Sequence, residues 1–232
     1  MAVQVILLDI EGTTTDIQFV HNVLFPYASC YLRAFVEKNY AHPNVKKALA
    51  DVQKTVQEEQ NKTISPDFAI DQLLEWIAQD RKHPALKYLQ GMVWETGYKN
   101  GDLQSHVYDD VPPALKRWQE QGLTLAIYSS GSEQAQKLLF GYTPFGYLNP
   151  HFSAYFDTVS GGPKKESASY TRIAEALSVA PAQMLFLSDH PDEITAARQA
   201  GCQVIQLLRD GQKPGEAPSA TTFEAITETV SL

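Results

Sequence analysis

Cysteine is scarce in this chain: Cys30 and Cys202 are the two among 232 residues, and they form no CxxC pair. A disulfide framework or a structural zinc site is therefore not expected, and both thiols read as small hydrophobes of a reducing compartment. Long apolar runs are missing too. No stretch approaches the roughly 20 residues of a membrane span, and the N-terminus enters a strand without the charged and apolar regions of a leader, so a soluble, cytoplasmic protein is expected. Positive charge is in deficit, with 19 Lys and Arg against 27 Asp and Glu and a formal net charge of -8. No basic stripe interrupts this, which argues against nucleic acid or an anionic membrane as partner. No repeat, low-complexity tract, heptad or self-complementary patch stands out, and a monomer is the default expectation.

What remains is an ordinary globular composition, 44% hydrophobic and 20% charged, in a chain long enough for one generous α/β domain or a domain with an insert. Val5-Ile6-Leu7-Leu8 is apolar at consecutive positions, as in a parallel strand covered on both faces by helices, and it ends in Asp9. From Tyr27 to about Tyr98 the period becomes helical: Ala28, Tyr31, Leu32, Phe35 and Val36 mark one stripe, and Val45, Leu49, Val52 and Val56 the next. Ser65-Pro66-Asp67 supplies an N-cap, a proline at the first helical position and an acid in the first turn, followed by Ile70, Leu73, Leu74 and Ile77. A further helix starts near Pro84.

From Val111 the α/β rhythm resumes. A helix runs through Trp118; the strand Leu123–Tyr128 ends in Ser129-Ser130-Gly131-Ser132; a helix covers 133–140. An aromatic loop from Tyr142 to Phe156 precedes a short strand around Thr158-Val159, and Ser160-Gly161-Gly162-Pro163 leads into Lys164-Lys165 and a helix over 167–178. The strand Met184–Leu187 closes on Ser188-Asp189-His190-Pro191-Asp192-Glu193, and Gln203–Leu208 reads as the last strand, with loop over 210–220 and a short final helix over 222–230. Strands alternating with helices predict a Rossmann-like parallel sheet with helices on both faces and right-handed crossovers. The expected division is an α/β core of residues 1–18 and 106–232, with a helical cap of residues 19–105 inserted after the first strand.

Three strands of that sheet end in Asp9, Ser129 and Asp189, and Lys164 sits on a loop that can reach the same edge. Taken singly, each has a bland reading as a cap, a turn or a solvated charge. Together they suit a phosphoryl group and a divalent cation. Carboxylates from two strands bind a hard cation such as Mg²⁺, whose charge lets an anionic nucleophile approach a phosphate. Asp9 is the nucleophile in this reading. The Ser129 hydroxyl and a backbone N–H near Ser130 hold the nonbridging oxygens, and Lys164 compensates charge. Glu11, two residues on, protonates the leaving oxygen and then activates water, while Gly12 turns the chain away with no side chain in the path.

In order, these four features resemble the motifs of the haloacid-dehalogenase-like phosphohydrolases, with Glu11 where the family's general acid is usually Asp. Asp9-Ile10-Glu11-Gly12-Thr13-Thr14-Thr15, with LFPY at 24–27, LQGMVW at 89–94, YSSGSxxAQKLLFG at 128–141 and FLSDxxxE at 186–193, is similar to the enolase-phosphatase branch, over nearly the whole chain. The resemblance implies one Mg²⁺ per subunit on Asp9, Glu11 and Asp189, with Glu11 contributing its backbone carbonyl. It implies Ser129, Ser130 and Lys164 at the substrate phosphate, and enolisation then dephosphorylation of 2,3-diketo-5-methylthiopentyl-1-phosphate to the acireductone. Lys164 is preferred to Lys165, Glu193 is expected to orient a metal-bound water, and Asp192 to be solvated. Phe19, Phe25, Tyr27 and Trp94 could wall the methylthio tail, although core packing is the simpler reading of each. Two alternatives stand beside this one: a capped phosphatase for another small phosphomonoester, and a phosphoacceptor receiver domain, which lacks such an insert and would trap its aspartyl phosphate.

Overall fold

The computed structural model describes residues 2–209 and 211–226; of the final helix expected over 222–230, residues 222–225 are bend and turn, and 227–230 lie outside the described residues. The chain divides into two units, Met1–Phe19 with Gln104–Leu232, and Val20–Leu103. In the first unit, strands β1 (Val5–Leu8), β2 (Thr124–Tyr128), β3 (Ala154–Phe156), β4 (Met184–Ser188), β5 (Gln203–Leu207) and β6 (Ser219–Ala220) form one sheet in the order β3-β2-β1-β4-β5-β6. Every pairing is parallel, with Val5 opposite Thr124 on one side and Met184 on the other.

Alternate residues of these strands face opposite sides, and both sides are dry. Ile6, Leu8, Leu125, Ile127, Leu185 and Leu187 pack with Leu115 and Trp118 of helix α6 (Val111–Glu120) and Phe140 of α7 (Glu133–Gly141). Val5, Leu7, Ala126, Tyr128 and Phe186 pack with Tyr170 and Ile173 of α8 (Ser167–Ala176) and Ile194 of α9 (Pro191–Gln199). Each fully buried large side chain contributes roughly 1.5–3 kcal/mol, so this double layer is the main stabiliser of the unit. The chain runs from β1 outward through β2 to β3, then returns to β4 on the other side of β1. That reversal marks the carboxyl ends of β1 and β4 as the crevice where open α/β sheets bind ligands.

Two expected elements change. The strand placed at Thr158-Val159 lies earlier, at Ala154–Phe156, in register with Ala126–Tyr128. The reason is local: the Asp157 carboxylate accepts hydrogen bonds from the N–H groups of Val159 and Ser160, closing a turn that leaves Val159 87% exposed. Gln203–Leu207 is also not the last strand, because Gln206 and Leu207 pair with Ser219 and Ala220 in the segment read as loop.

Before the second unit come a short helix α1 (Ile17–Phe19) and then, opening that unit, a π-helical turn at Val20–Leu24. The second unit is built from α2 (Phe25–Lys38), α3 (Pro43–Gln60), α4 (Pro66–Ala78) and α5 (Pro84–Asn100). Proline stands at the start of all four, where its missing N–H costs nothing. His42, Ser65 and His83 cap α3, α4 and α5 by accepting backbone N–H bonds with their side chains. The stripes bury Leu32 and Val36, Leu49 and Val52, Ile70 and Leu73, and Leu89 and Val93. Tyr31, placed on a buried stripe by spacing, is instead 48% exposed and lies against Tyr27. Phe19 and Trp94 are buried, and the Trp94 indole N–H donates to the Leu24 carbonyl, which suits a packing role.

Candidate active site

Asp9 follows β1 directly and is 3% exposed. Its Oδ1 accepts from the Ile10 N–H at 2.8 Å and from Lys164 Nζ at 2.5 Å, and its Oδ2 accepts from Ser188 Oγ at 2.9 Å. Lys164, on the loop before α8, also reaches Glu193 Oε2 at 2.7 Å. Burial works against the lysine's charge, but the Asp9 and Glu193 carboxylates outweigh it and hold the ammonium above its usual range. Lys164, rather than Lys165, is the lysine at this strand edge: Lys165 is exposed and pairs with Asp192 at 2.9 Å. Asp192 is thus ion-paired at the surface.

Glu11 reaches toward the neighbouring strand end, where Ser129 Oγ donates to its Oε2 at 3.2 Å. Burial first, and the Asp9 charge second, raise the Glu11 carboxyl above its ordinary range. Ser129 Oγ also accepts from the Gly131 N–H at 3.1 Å, and Ser132 caps α7 through its side chain. Ser130 stands between them. Asp9, Glu11, Ser129 and Lys164 therefore meet at the carboxyl ends of β1 and β2.

Asp189 follows β4. Thr13 Oγ1 accepts its N–H at 3.0 Å, and Gln212 Nε2 donates to its Oδ2 at 2.9 Å. Burial and the Asp9 charge raise its carboxyl as well. Gly12 explains how the two loops come so close. It has φ +72°, and a Cβ added there would lie 2.6 Å from Asp189 Cγ. Only glycine satisfies both demands.

Asp9 and Asp189 are thus acids on adjacent strand ends, and Asp9 raises the proton affinity of both Glu11 and Asp189, a charge conflict that a cation relieves. Among the described residues, no three His, Cys, Asp or Glu side chains form a ready metal cluster. The fit is to a hard, oxygen-seeking ion held by two carboxylates and completed by main-chain oxygen and water, the preference of Mg²⁺. Glu11, with its carboxylate turned to Ser129, suits a carbonyl contribution.

Glu193 contacts Lys164 and, at 3.1 Å, Ser188 Oγ. Burial, then Asp9, push its carboxyl up to about 7 against the pull of Lys164. His190 caps α9, its Nδ1 accepting from the Asp192 N–H. Residue reasoning passed over Ser188, although it adjoins Asp189, and Arg209, whose guanidinium donates to the Thr13 carbonyl and pairs with Asp110 through both terminal nitrogens. A lone arginine after an apolar strand carried no sign of either.

The family model of haloacid dehalogenase-like hydrolases matches residues 3–201. The chain is 49% identical to Enolase-phosphatase E1 of Pseudomonas aeruginosa over 97% of this chain and 99% of that protein. It is 50% identical to Enolase-phosphatase E1 of Marinobacter nauticus over 93% and 92%. Among solved structures, the UTR4 protein of Saccharomyces cerevisiae superposes with a TM-score of 0.80 at 34% identity, covering 96% of this chain and 99% of that one. Matched over most of its length by the family model and over nearly all of it by these relatives, the chain belongs to the haloacid dehalogenase-like hydrolases, in their enolase-phosphatase branch.

Proposed function

We propose that this protein is a Mg²⁺-dependent enolase-phosphatase acting on 2,3-diketo-5-methylthiopentyl-1-phosphate. The observation that carries the reading is the contact set of Asp9: a buried carboxylate bonded to Lys164, with Glu11 and Ser129 paired at the next strand end. Full-length kinship to enolase-phosphatases supports the substrate.

Asp9 attacks phosphorus, forming an Oδ–P bond as the bond to the substrate oxygen breaks, and Glu11 gives that oxygen its proton. Glu11, now a carboxylate, takes a proton from water as the water oxygen attacks phosphorus, which releases phosphate and restores Asp9. Ser129 and the Ser130 backbone hold nonbridging oxygens, and Lys164 offsets their charge. Mg²⁺, held by Asp9, Asp189 and the Glu11 carbonyl, would supply charge neutralisation at phosphorus and polarisation of the diketone. For enolisation, Glu11 is the economical base, since its carboxylate adjoins the same site.

The test follows the diketone phosphate by ultraviolet absorbance and phosphate release together. Wild type should show the enol and then phosphate. Asp9→Asn should release none. Glu11→Gln should lose both steps; a normal enolisation rate in that variant would remove Glu11 as the base. Turnover of other phosphomonoesters with none of the diketone would replace the substrate by another small phosphomonoester.

A further inference from the structure

The loop Ser129-Ser130-Gly131-Ser132 must keep a fixed shape to receive a phosphate, yet it is a run of small residues. One side chain outside it supplies the anchor. Gln136, on α7, is 1% exposed, and its Nε2 donates to the Gly131 carbonyl and to the Phe156 carbonyl, both at 2.8 Å. The same Phe156 carbonyl, at the end of β3, also accepts the N–H of Ser129, where the loop begins, at 3.1 Å. Both ends of the Ser129–Gly131 segment thus converge on a single amide nitrogen.

The other atom of that amide makes this arrangement costly. Gln136 Oε1 is buried with no hydrogen-bond partner. An orphaned buried acceptor is a destabilising feature, rare in native proteins and calling for an explanation. Reversing the amide does not cure it, since the oxygen would then face two carbonyls. A methionine would fill similar space with no orphaned acceptor in its own side chain, at the cost of the hydrogen bond to the Gly131 carbonyl. The amide does one thing methionine cannot: it provides two N–H donors from one atom, matched to the two carbonyls that set the loop.

We propose that Gln136 is a positioning residue for phosphate binding, acting through the loop backbone and without touching substrate. It turns the Gly131 carbonyl into the protein body and so fixes the peptide planes on which Ser129 Oγ and the Ser130 N–H depend. The inference rests on the reading of Ser129–Ser132 as the phosphate loop.

The test uses Gln136→Met, Gln136→Glu and, as a packing control on the same helix, Leu139→Ala, with melting temperature, kcat, KM and competitive inhibition by inorganic phosphate in Mg²⁺ measured for each. Losing two neutral hydrogen bonds that shape the site should raise KM and the phosphate inhibition constant of Gln136→Met about tenfold. Its melting temperature should stay near wild type. Gln136→Glu, which sets oxygens against both carbonyls, should weaken phosphate inhibition at least as far. Leu139→Ala should melt lower with its phosphate constant unchanged. If wild type is inhibited by phosphate and both Gln136 variants match it, the inference is overturned and Gln136 is a packing residue. If wild type itself neither binds phosphate nor releases it, the phosphate-loop reading fails instead.

Discussion

A methyl group at position 12 would meet the Asp189 carboxylate and would also sit on a backbone with φ +72°. Gly12→Ala should therefore lose about 1–3 kcal/mol of stability from the left-handed conformation. By displacing Asp189 at ångström scale, it should cut phosphate release by about 100-fold. Urea unfolding and a phosphate assay check the two effects separately, and an alanine variant with unchanged turnover would dismiss the close approach as incidental. At this scale the proposed chemistry was legible because Asp9 and Ser129 each stand directly after an apolar run, and Asp189 one residue beyond another, so position in the chain announced position at the sheet edge. Ser188 and Gln136 were not legible. Ser188 is a buried hydroxyl whose partner Asp9 lies 179 residues away, and Gln136 reads as an ordinary helix residue until the Gly131 and Phe156 carbonyls are seen beside it.

Among elements, the loop after β1 is braced by a charge pair. Arg209 and Asp110 are mostly buried, and Arg209 lies over the Tyr108 ring at 4.3 Å while bonding to Thr13. Arg209→Met leaves Asp110 buried without its cation and should cost about 3–5 kcal/mol; a loss below about 1 kcal/mol in chemical denaturation would mark the pair as solvent-screened. Helix α5 should carry a pH dependence. His83 accepts the Ala85 N–H through Nδ1 and contacts Thr55 Oγ1 at 3.0 Å. Burial, helped by Arg81 and opposed by Asp51 and Glu59, lowers its pKa. The unfolded chain therefore binds the proton more readily. Stability from His83 is present above the unfolded value of about 6.5 and is lost as pH falls through the lower folded value. Denaturation midpoints should drop between neutral and mildly acidic pH by less in His83→Asn, which keeps a cap but does not titrate; equal slopes would discard His83 as the source. Helices were readable here because proline and caps punctuate apolar stripes over many residues. The short strands β3 and β6 were not, since two or three residues carry no periodicity and their pairing is settled by neighbours in the sheet.

For the whole molecule, the proposed Mg²⁺ ligands all belong to the unit that contains Trp118, whereas Trp76 and Trp94 belong to the other. Mg²⁺ at about 100 times its dissociation constant should stabilise the native state by about 2.7 kcal/mol. The shift should appear in the unfolding midpoint of a protein with Trp118 as its sole tryptophan, and vanish in Asp189→Asn. A midpoint indifferent to Mg²⁺ in the wild-type background would count against the ion. The register of β1 has a further consequence for how the chain is made. Val5 pairs with Thr124 and Met184, so the central strand emerges first and waits for both neighbours. At about 5–20 residues per second, its two open edges persist for many seconds while the intervening helices, joined by short-range contacts, have time to fold. A strand buried along its whole length in the finished enzyme is thus left longest without its neighbours during synthesis, when a chaperone would shield its apolar tetrapeptide.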